Sequence, residues 1–332
     1  MLNLPGYSIR SKIHVGTDTL IYSGIRNSDG AQVVVKVFKS ELPRSRDLAR
    51  LRHEYAILRN LDLPGVVKAQ GIEKIGHGLG LVLEAIDGQS LERALRVQRL
   101  ELKKALLITI ELAKILDQLH AAGVIHKDLK PQNIIVRLDP VAVHLIDFGI
   151  AIRLTQETQQ AATPGALEGT LTHMSPEQTG RMNRVIDARS DFYSLGVTLY
   201  EMLTGVLPFN AADSLELIHS HIAVGPRRPQ EVDPAIPKVV SDIAMKLLAK
   251  AAEDRYQSGY GLAVDLQECL QQLQEKGRID DFPLGRKDYS SELRIPQRLY
   301  GRSAEIAALL GAFERAGQGA AELLLVTGGA GV

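Results

Sequence analysis

The feature that most constrains this chain is a change of period at Asp87-Gly88. Before it, Tyr7 to Phe38 reads as two strands, a turn at Asn27-Ser28-Asp29-Gly30 and a third strand, of which Val33 to Phe38 is the clearest. Arg44 to Asn60 carries Leu48, Leu51, Tyr55 and Leu58 at helical spacing and ends before Pro64-Gly65. Two further strand-like runs, Val66 to Glu73 and Leu79 to Glu84, are joined by Gly76-His77-Gly78. Residues 7–87 therefore read as a five-strand sheet with one helix. After Gly88 the periods are helical, broken only by short apolar runs at Ile134 to Val136 and His144 to Ile146. The expected class is α+β, with a small β-rich lobe over 7–87 and a larger, mainly helical lobe over 88–275.

A chain of 332 residues has room for such a two-lobed unit or for two ordinary domains. Its formal net charge of zero offers no global attraction to nucleic acid or to a membrane surface, so neither partner is expected. The single cysteine, Cys269, excludes an internal disulfide and fits a reducing, cytoplasmic compartment. Residues Met1 to Gly6 lack a basic stretch followed by an apolar run, so no signal peptide is expected. The longest apolar stretch, Ala105 to Leu119, is interrupted by Glu111, Lys114 and Asp117 and suits a buried helix better than a membrane span.

Beyond about Gln274 the sequence turns polar and broken, which reads as a linker over 276–298. A new unit starts near 299: Glu305 to Arg315 is helix-like, and Glu322 to Thr327 is a short apolar strand followed by Gly328-Gly329-Ala330-Gly331-Val332. A glycine-rich stretch after such a strand is how a phosphate-binding loop opens.

The most specific pattern is His126-Lys127-Asp128-Leu129-Lys130-Pro131-Gln132-Asn133, followed by Asp147-Phe148-Gly149. Taken singly, Asp128 and Asp147 would be ordinary loop carboxylates; their spacing with Lys130 and Asn133 sets them apart. The series resembles the Hanks-type serine/threonine protein kinases, and the resemblance runs in order from about Tyr7 to Leu273. It implies a bilobal kinase fold that transfers the γ-phosphate of ATP to serine or threonine hydroxyls of protein substrates.

Each part of the match answers a need of phosphoryl transfer, which demands positioning and charge neutralisation more than covalent help. The resemblance makes Asp128 the residue that orients the hydroxyl and takes its proton, and sets Lys130 against the moving phosphate. Asn133 and Asp147 offer hard oxygen atoms suited to Mg²⁺. Lys36 matches the lysine that grips the α and β phosphates, and Glu54, on one helical face with Leu51 and Leu58, is its expected carboxylate partner. Val15, Gly16 and Ile21 are expected over the nucleotide. Leu83 is expected at the gatekeeper position, with the backbone of Glu84 and Ile86 receiving the adenine. His126 is expected to pack with Phe148 and Leu58. Gly169-Thr170 and Met174-Ser175-Pro176-Glu177 resemble the peptide-receiving segment, with Arg255 pairing Glu177.

Three departures stand out. The family's three loop glycines fall on His14, Gly16 and Thr19, so one remains. Lys127 stands where many members carry arginine; lysine keeps the charge and loses the two-pronged contact, so activation is expected not to depend strictly on phosphorylation between Asp147 and Glu177, although Thr155, Thr158, Thr163 and Thr172 are available. Gln178 to Arg184 is longer than usual, and Arg181 and Arg184 could dock an acidic substrate.

Tyr300-Gly301-Arg302, Glu305 and Phe313-Glu314-Arg315 resemble the start of an AAA-type ATPase region. That arrangement is similar to large cyanobacterial multidomain proteins in which such a kinase precedes ATPase, GAF and histidine-kinase modules, so 299–332 is read as the beginning of a cut ATPase unit with sensor modules after it. The alternative function is a pseudokinase or weak kinase serving as the nucleotide-binding regulator of that ATPase. A small-molecule phosphotransferase of related fold is disfavoured by Gly169-Thr170 and Ser175-Pro176-Glu177.

Overall fold

The computed structural model describes residues 2–154, 170–182, 184–211, 213–289 and 303–317, with positions 321, 323 and 325, and divides the chain into units Met1–Ser291 and Glu292–Val332. The first unit opens with a five-stranded antiparallel sheet in the order β1-β2-β3-β5-β4: β1 (Tyr7–Val15), β2 (Thr19–Arg26), β3 (Gln32–Phe38), β4 (Ala69–Ile75) and β5 (Gly78–Glu84). Strand alternation sorts β3 between two faces. Val33, Val35 and Val37 join Leu4 and Val82 in a small buried cluster on one side. Lys36 faces the other way, paired with Ile21 of β2 and Leu81 of β5.

Helix α1 (Ser45–Leu58) begins where Asp47 accepts a hydrogen bond from the Arg44 backbone N–H (3.1 Å), and it buries Leu51, Glu54, Ile57 and Leu58 along one face. The fourth strand starts three residues later than expected. Val67 and Gly65 instead exchange backbone hydrogen bonds with Leu145 (3.0 and 2.7 Å), which ties the connector to the large lobe. Gly65 has φ +78° there, and a Cβ would lie 2.4 Å from Ile115 Cδ1.

The large lobe runs through β6 (Gln89–Ser90), α2 (Leu91–Val97), α3 (Leu102–Ala121), β7 (Val124–Ile125), β8 (Ile134–Leu138), β9 (Val141–Leu145) and β10 (Ile152–Arg153). It continues with α4 (Arg189–Thr204), α5 (Ser214–Ala223), α6 (Pro229–Val232), α7 (Lys238–Leu247) and α8 (Gly259–Lys276). The stretch Ala105 to Leu119 lies inside α3, which packs against α4, α8 and β9 and buries Leu106, Ile108, Leu112, Leu116 and Leu119. Lys114 stays exposed, and no described helix is long and apolar enough to cross a membrane. One apolar cluster spans α1, β5, α3, α4, α7 and α8. Cys269 is buried in it, and burial pushes its thiol up to about 12.

The stretch 276–298, expected as a linker, begins instead as a packed strap. Ile279, Phe282 and Leu284 lie against the main core, and Asp288 bonds the start of α8, so residues up to 289 belong with the first unit. Apolar residues between glycine, proline and charge do not announce a packed segment, because they follow neither the helix nor the strand period. In the second unit, α9 (Ser303–Gly317) contains the helix expected from Glu305 to Arg315. Of the expected strand at 322–327 only positions 323 and 325 are described, and the glycines after it lie outside the described residues.

Candidate active site

Two clusters of charged side chains form around the ends of these elements. In the first, Lys36 Nζ donates to Glu54 Oε1 and Oε2 (3.1 and 2.9 Å) and to Asp147 Oδ1 (2.8 Å). The three residues come from β3, α1 and the loop after β9, so the cluster forms only when both lobes fold. Burial works against the Lys36 charge, but Asp147 and Glu54 overcome it and hold the ammonium above its ordinary range. Burial likewise opposes the Asp147 carboxylate, yet Lys36, the Gly149 N–H and Arg50 bring it well below the usual carboxylate range. Glu54 moves the other way: its desolvation outweighs Lys36 and raises it. Asp147 adopts the left-handed region at φ +64°, a conformation that costs a non-glycine residue energy and persists only where the surroundings enforce it.

In the second cluster, Asp128 accepts from Lys130 Nζ (2.8 Å), from Asn133 Nδ2 (3.0 Å) and from the Thr170 N–H and hydroxyl (3.3 and 3.2 Å). The short 3-10 turn Pro131–Asn133, set by the proline at its start, brings Asn133 back onto Asp128. Because the Asn133 amide nitrogen also bonds the Asp128 carbonyl (2.9 Å), its Oδ1 remains for a hard cation.

The loop that carries Asp128 is held from below. Asp191, buried near the start of α4, accepts from the His126 and Lys127 N–H groups (2.9 and 2.8 Å) and lies 2.9 Å from His120 Nε2. Burial opposes its charge, but these donors keep it below the ordinary carboxylate range. Lys127 sits at φ +65°, and Gln178 Nε2 donates to its carbonyl (2.8 Å). His126 is fully buried, with its ring centroid 4.7 Å from that of Phe148.

Farther out, Arg255 donates to both Glu177 oxygens (2.7 and 2.9 Å) and to the carbonyls of Ala249, Arg189 and Lys250. Ser190 Oγ adds a bond to Glu177 (2.7 Å). The pair was legible only through resemblance, since 78 residues separate its members.

The remaining expected residues line the sheet. Val15 and Gly16 stand at the β1–β2 turn, closed by a bond from the Gly16 N–H to the Thr19 carbonyl (2.9 Å), and Val15 is exposed. Ile21 shares the Lys36 face. Leu83 is buried in the core, and the Glu84 N–H bonds Lys68 O (3.0 Å). Ile86 packs partly buried against the core beyond β5. Arg184 is engaged by Glu253 at 2.7 Å, so of the two arginines suggested for an acidic substrate it is already paired. Gly169, Thr155, Thr158 and Thr163 lie outside the described residues. Sequence reasoning missed the Thr170 hydroxyl, Gln178 as a brace and Asp191 as an anchor, because each acts across dozens of residues with no local period to mark it.

Comparison with known proteins agrees with this geometry. A family model described as a protein kinase domain matches residues 7–272. A probable serine/threonine-protein kinase of Clostridium perfringens is 31% identical over 264 residues, 79% of this chain and 38% of that protein. Serine/threonine-protein kinase PknH of Mycobacterium tuberculosis is 32% identical over 268 residues, 80% of this chain and 42% of its own length. The hybrid signal transduction histidine kinase G of Dictyostelium discoideum is 38% identical over 183 residues, which are 49% of this chain and 5% of that protein. The chain thus spans less than half the length of these relatives. With the matched region covering both lobes and both charge clusters, this chain belongs to the protein kinase family.

Proposed function

We propose that this chain is an ATP-dependent protein serine/threonine kinase in which Asp128 is the base. The observation that carries the reading is the Asp128 cluster, a carboxylate fixed by Lys130, Asn133 and Thr170; a second cluster commits Lys36 to two carboxylates. In this reading the substrate hydroxyl gives its proton to Asp128 as its oxygen attacks the γ-phosphorus, the bond from that phosphorus to the β–γ bridging oxygen breaks to release ADP, and Lys130 neutralises charge on the transferred group. Lys36, held by Glu54, grips the α and β phosphates. Val15, Gly16 and Ile21 cover the nucleotide, and Leu83 with the backbone of Glu84 and Ile86 receives the base.

The donor chemistry fits Mg²⁺: Asp147 is ionised with an oxygen outside its Lys36 bond, and Asn133 presents an amide oxygen. Asp147 and Asn133 would hold Mg²⁺, which would supply charge neutralisation for the phosphates. The serine/threonine assignment is also supported by the names of the Clostridium and Mycobacterium relatives. The lone Cys269 and neutral net charge favour a cytoplasmic setting, and 299–332 is read as the start of an ATPase unit followed by sensor modules.

The test is phosphate transfer from radioactive ATP by the purified chain with Mg²⁺, expected in the wild type and absent in Asp128→Ala and Lys36→Met. Undiminished transfer in either variant overturns the assignment. A second reading, a nucleotide-binding regulator without transfer, is favoured by the single glycine in the β1–β2 turn; the same assay separates the two.

A further inference from the structure

We propose that Asp288 is a positioning residue for the peptide-receiving segment, acting through Gln257, Arg255 and Glu177. The inference rests on the kinase reading for what that segment does, and on contacts alone for how it is held.

After α8 ends at Gly277, the chain turns back along the helix. The Asp280 N–H bonds Gln272 (2.8 Å), the Gly285 N–H bonds Asp265 Oδ2 (2.7 Å), and Asp288 reaches the beginning of the helix that the strap has retraced. There its carboxylate accepts from the Gln257 N–H (2.9 Å), the Ser258 N–H (2.9 Å) and the Ser258 hydroxyl (2.9 Å), while Ser258 Oγ accepts from the Gly261 N–H (3.0 Å). Ser258 is the N-cap of α8, and Asp288, 30 positions downstream, holds that cap in place. Gly261 is part of the fit: a Cβ there would lie 2.6 Å from the Asp288 Cα, closer than packing allows.

Gln257 passes this restraint on. Its side chain donates to the carbonyls of Ala252, Glu253 and Arg255 (3.2, 3.2 and 2.7 Å) and accepts from Arg189 Nη1 (3.1 Å). It therefore shapes the turn that presents Arg255. Arg255 grips Glu177, and Gln178 next to it holds the Lys127 carbonyl one residue before Asp128. Each link is a directional hydrogen bond: three connect the strap to the segment that includes Thr170, and a further one, from Gln178, continues to the loop of Asp128.

The experiment uses the full 332-residue chain, comparing wild type with Asp288→Ala and with Gly261→Ala, which crowds the strap while leaving Asp288 intact. By hydrogen exchange, amides at 252–258 and 175–179 should exchange about tenfold faster in both variants, with those of β3 and α1 unchanged. With myelin basic protein as acceptor, its KM should rise about tenfold while the KM for ATP stays put. Unchanged exchange at 175–179, or equal acceleration everywhere, overturns the proposal, the latter by reducing Asp288 to general stability. Should the wild type transfer no phosphate, the kinase reading fails and the exchange pattern alone decides the role of Asp288.

Discussion

The Lys36 cluster and the Glu177–Arg255 pair are both buried charge groups assembled across long stretches of chain, yet they are finished differently. Arg255 has five N–H donors and makes five hydrogen bonds, and its side chain is 0% exposed against 3% for Glu177. Burial opposes the Glu177 charge, but Arg255 and Ser190 hold it below its ordinary range. At Lys36 the three ammonium donors are also used, but two carboxylates share them, and the Asp147 side chain is 32% exposed. The saturated pair can only hold the fold; the cluster with acceptor capacity left over can take a ligand. Saturation, rather than charge or burial, separates scaffold from chemistry here.

The largest effect that would test this division is on transfer. Lys36→Met and Asp128→Ala should each lower phosphate transfer by at least ~10³-fold while leaving the urea midpoint nearly unchanged. In Lys36→Met, Glu54, already raised by burial, loses the ammonium that opposes that rise and can take up a proton instead of remaining a bare buried charge. Arg255→Ala should do the reverse in kind, costing about 3–5 kcal/mol of stability in urea unfolding because it strands the Glu177 carboxylate in the core. If Arg255→Ala proved no more destabilising than Lys36→Met, the comparison would collapse.

A smaller effect concerns His221, another sealed group, with Nδ1 2.9 Å from the Tyr193 hydroxyl. Burial, together with the charges of Lys250 and His173, lowers it from 6.5 to about 4. A folded-state value below the unfolded one means that the unfolded chain takes up the proton first as pH falls. Stability from this group is therefore complete above pH 6.5 and is lost progressively towards pH 4. Melting temperature should fall across that window, and His221→Asn should flatten the profile. The smallest expected effect is at Cys269: iodoacetamide should leave it unmodified in the native protein, and labelling at native pH without unfolding would show the core to be looser than its packing implies.

Much of this was legible in the sequence where a local signal existed. Lys36 stands out as a lysine in an apolar strand, and Glu54 follows from helical spacing with Leu51 and Leu58. The two-lobed division follows from the change of period at Gly88. Thr170, Gln178 and Asp191 gave no such signal, because their work is done by single hydrogen bonds to distant backbone or side chains. The strap was misread for a related reason: Ile279, Phe282 and Leu284 are spaced for neither helix nor strand, and Asp288 looks like any loop acid until α8 is folded above it.

Asp191 has a wider consequence. Because it grips the His126 and Lys127 amides from inside α4, the shape of the loop that carries Asp128 is set by the large lobe. The β1–β2 turn of the small lobe can then differ, as with its single glycine at Gly16, while the backbone around Asp128 keeps its shape. A change in how the sheet of the small lobe meets a ligand need not disturb the loop that carries Asp128.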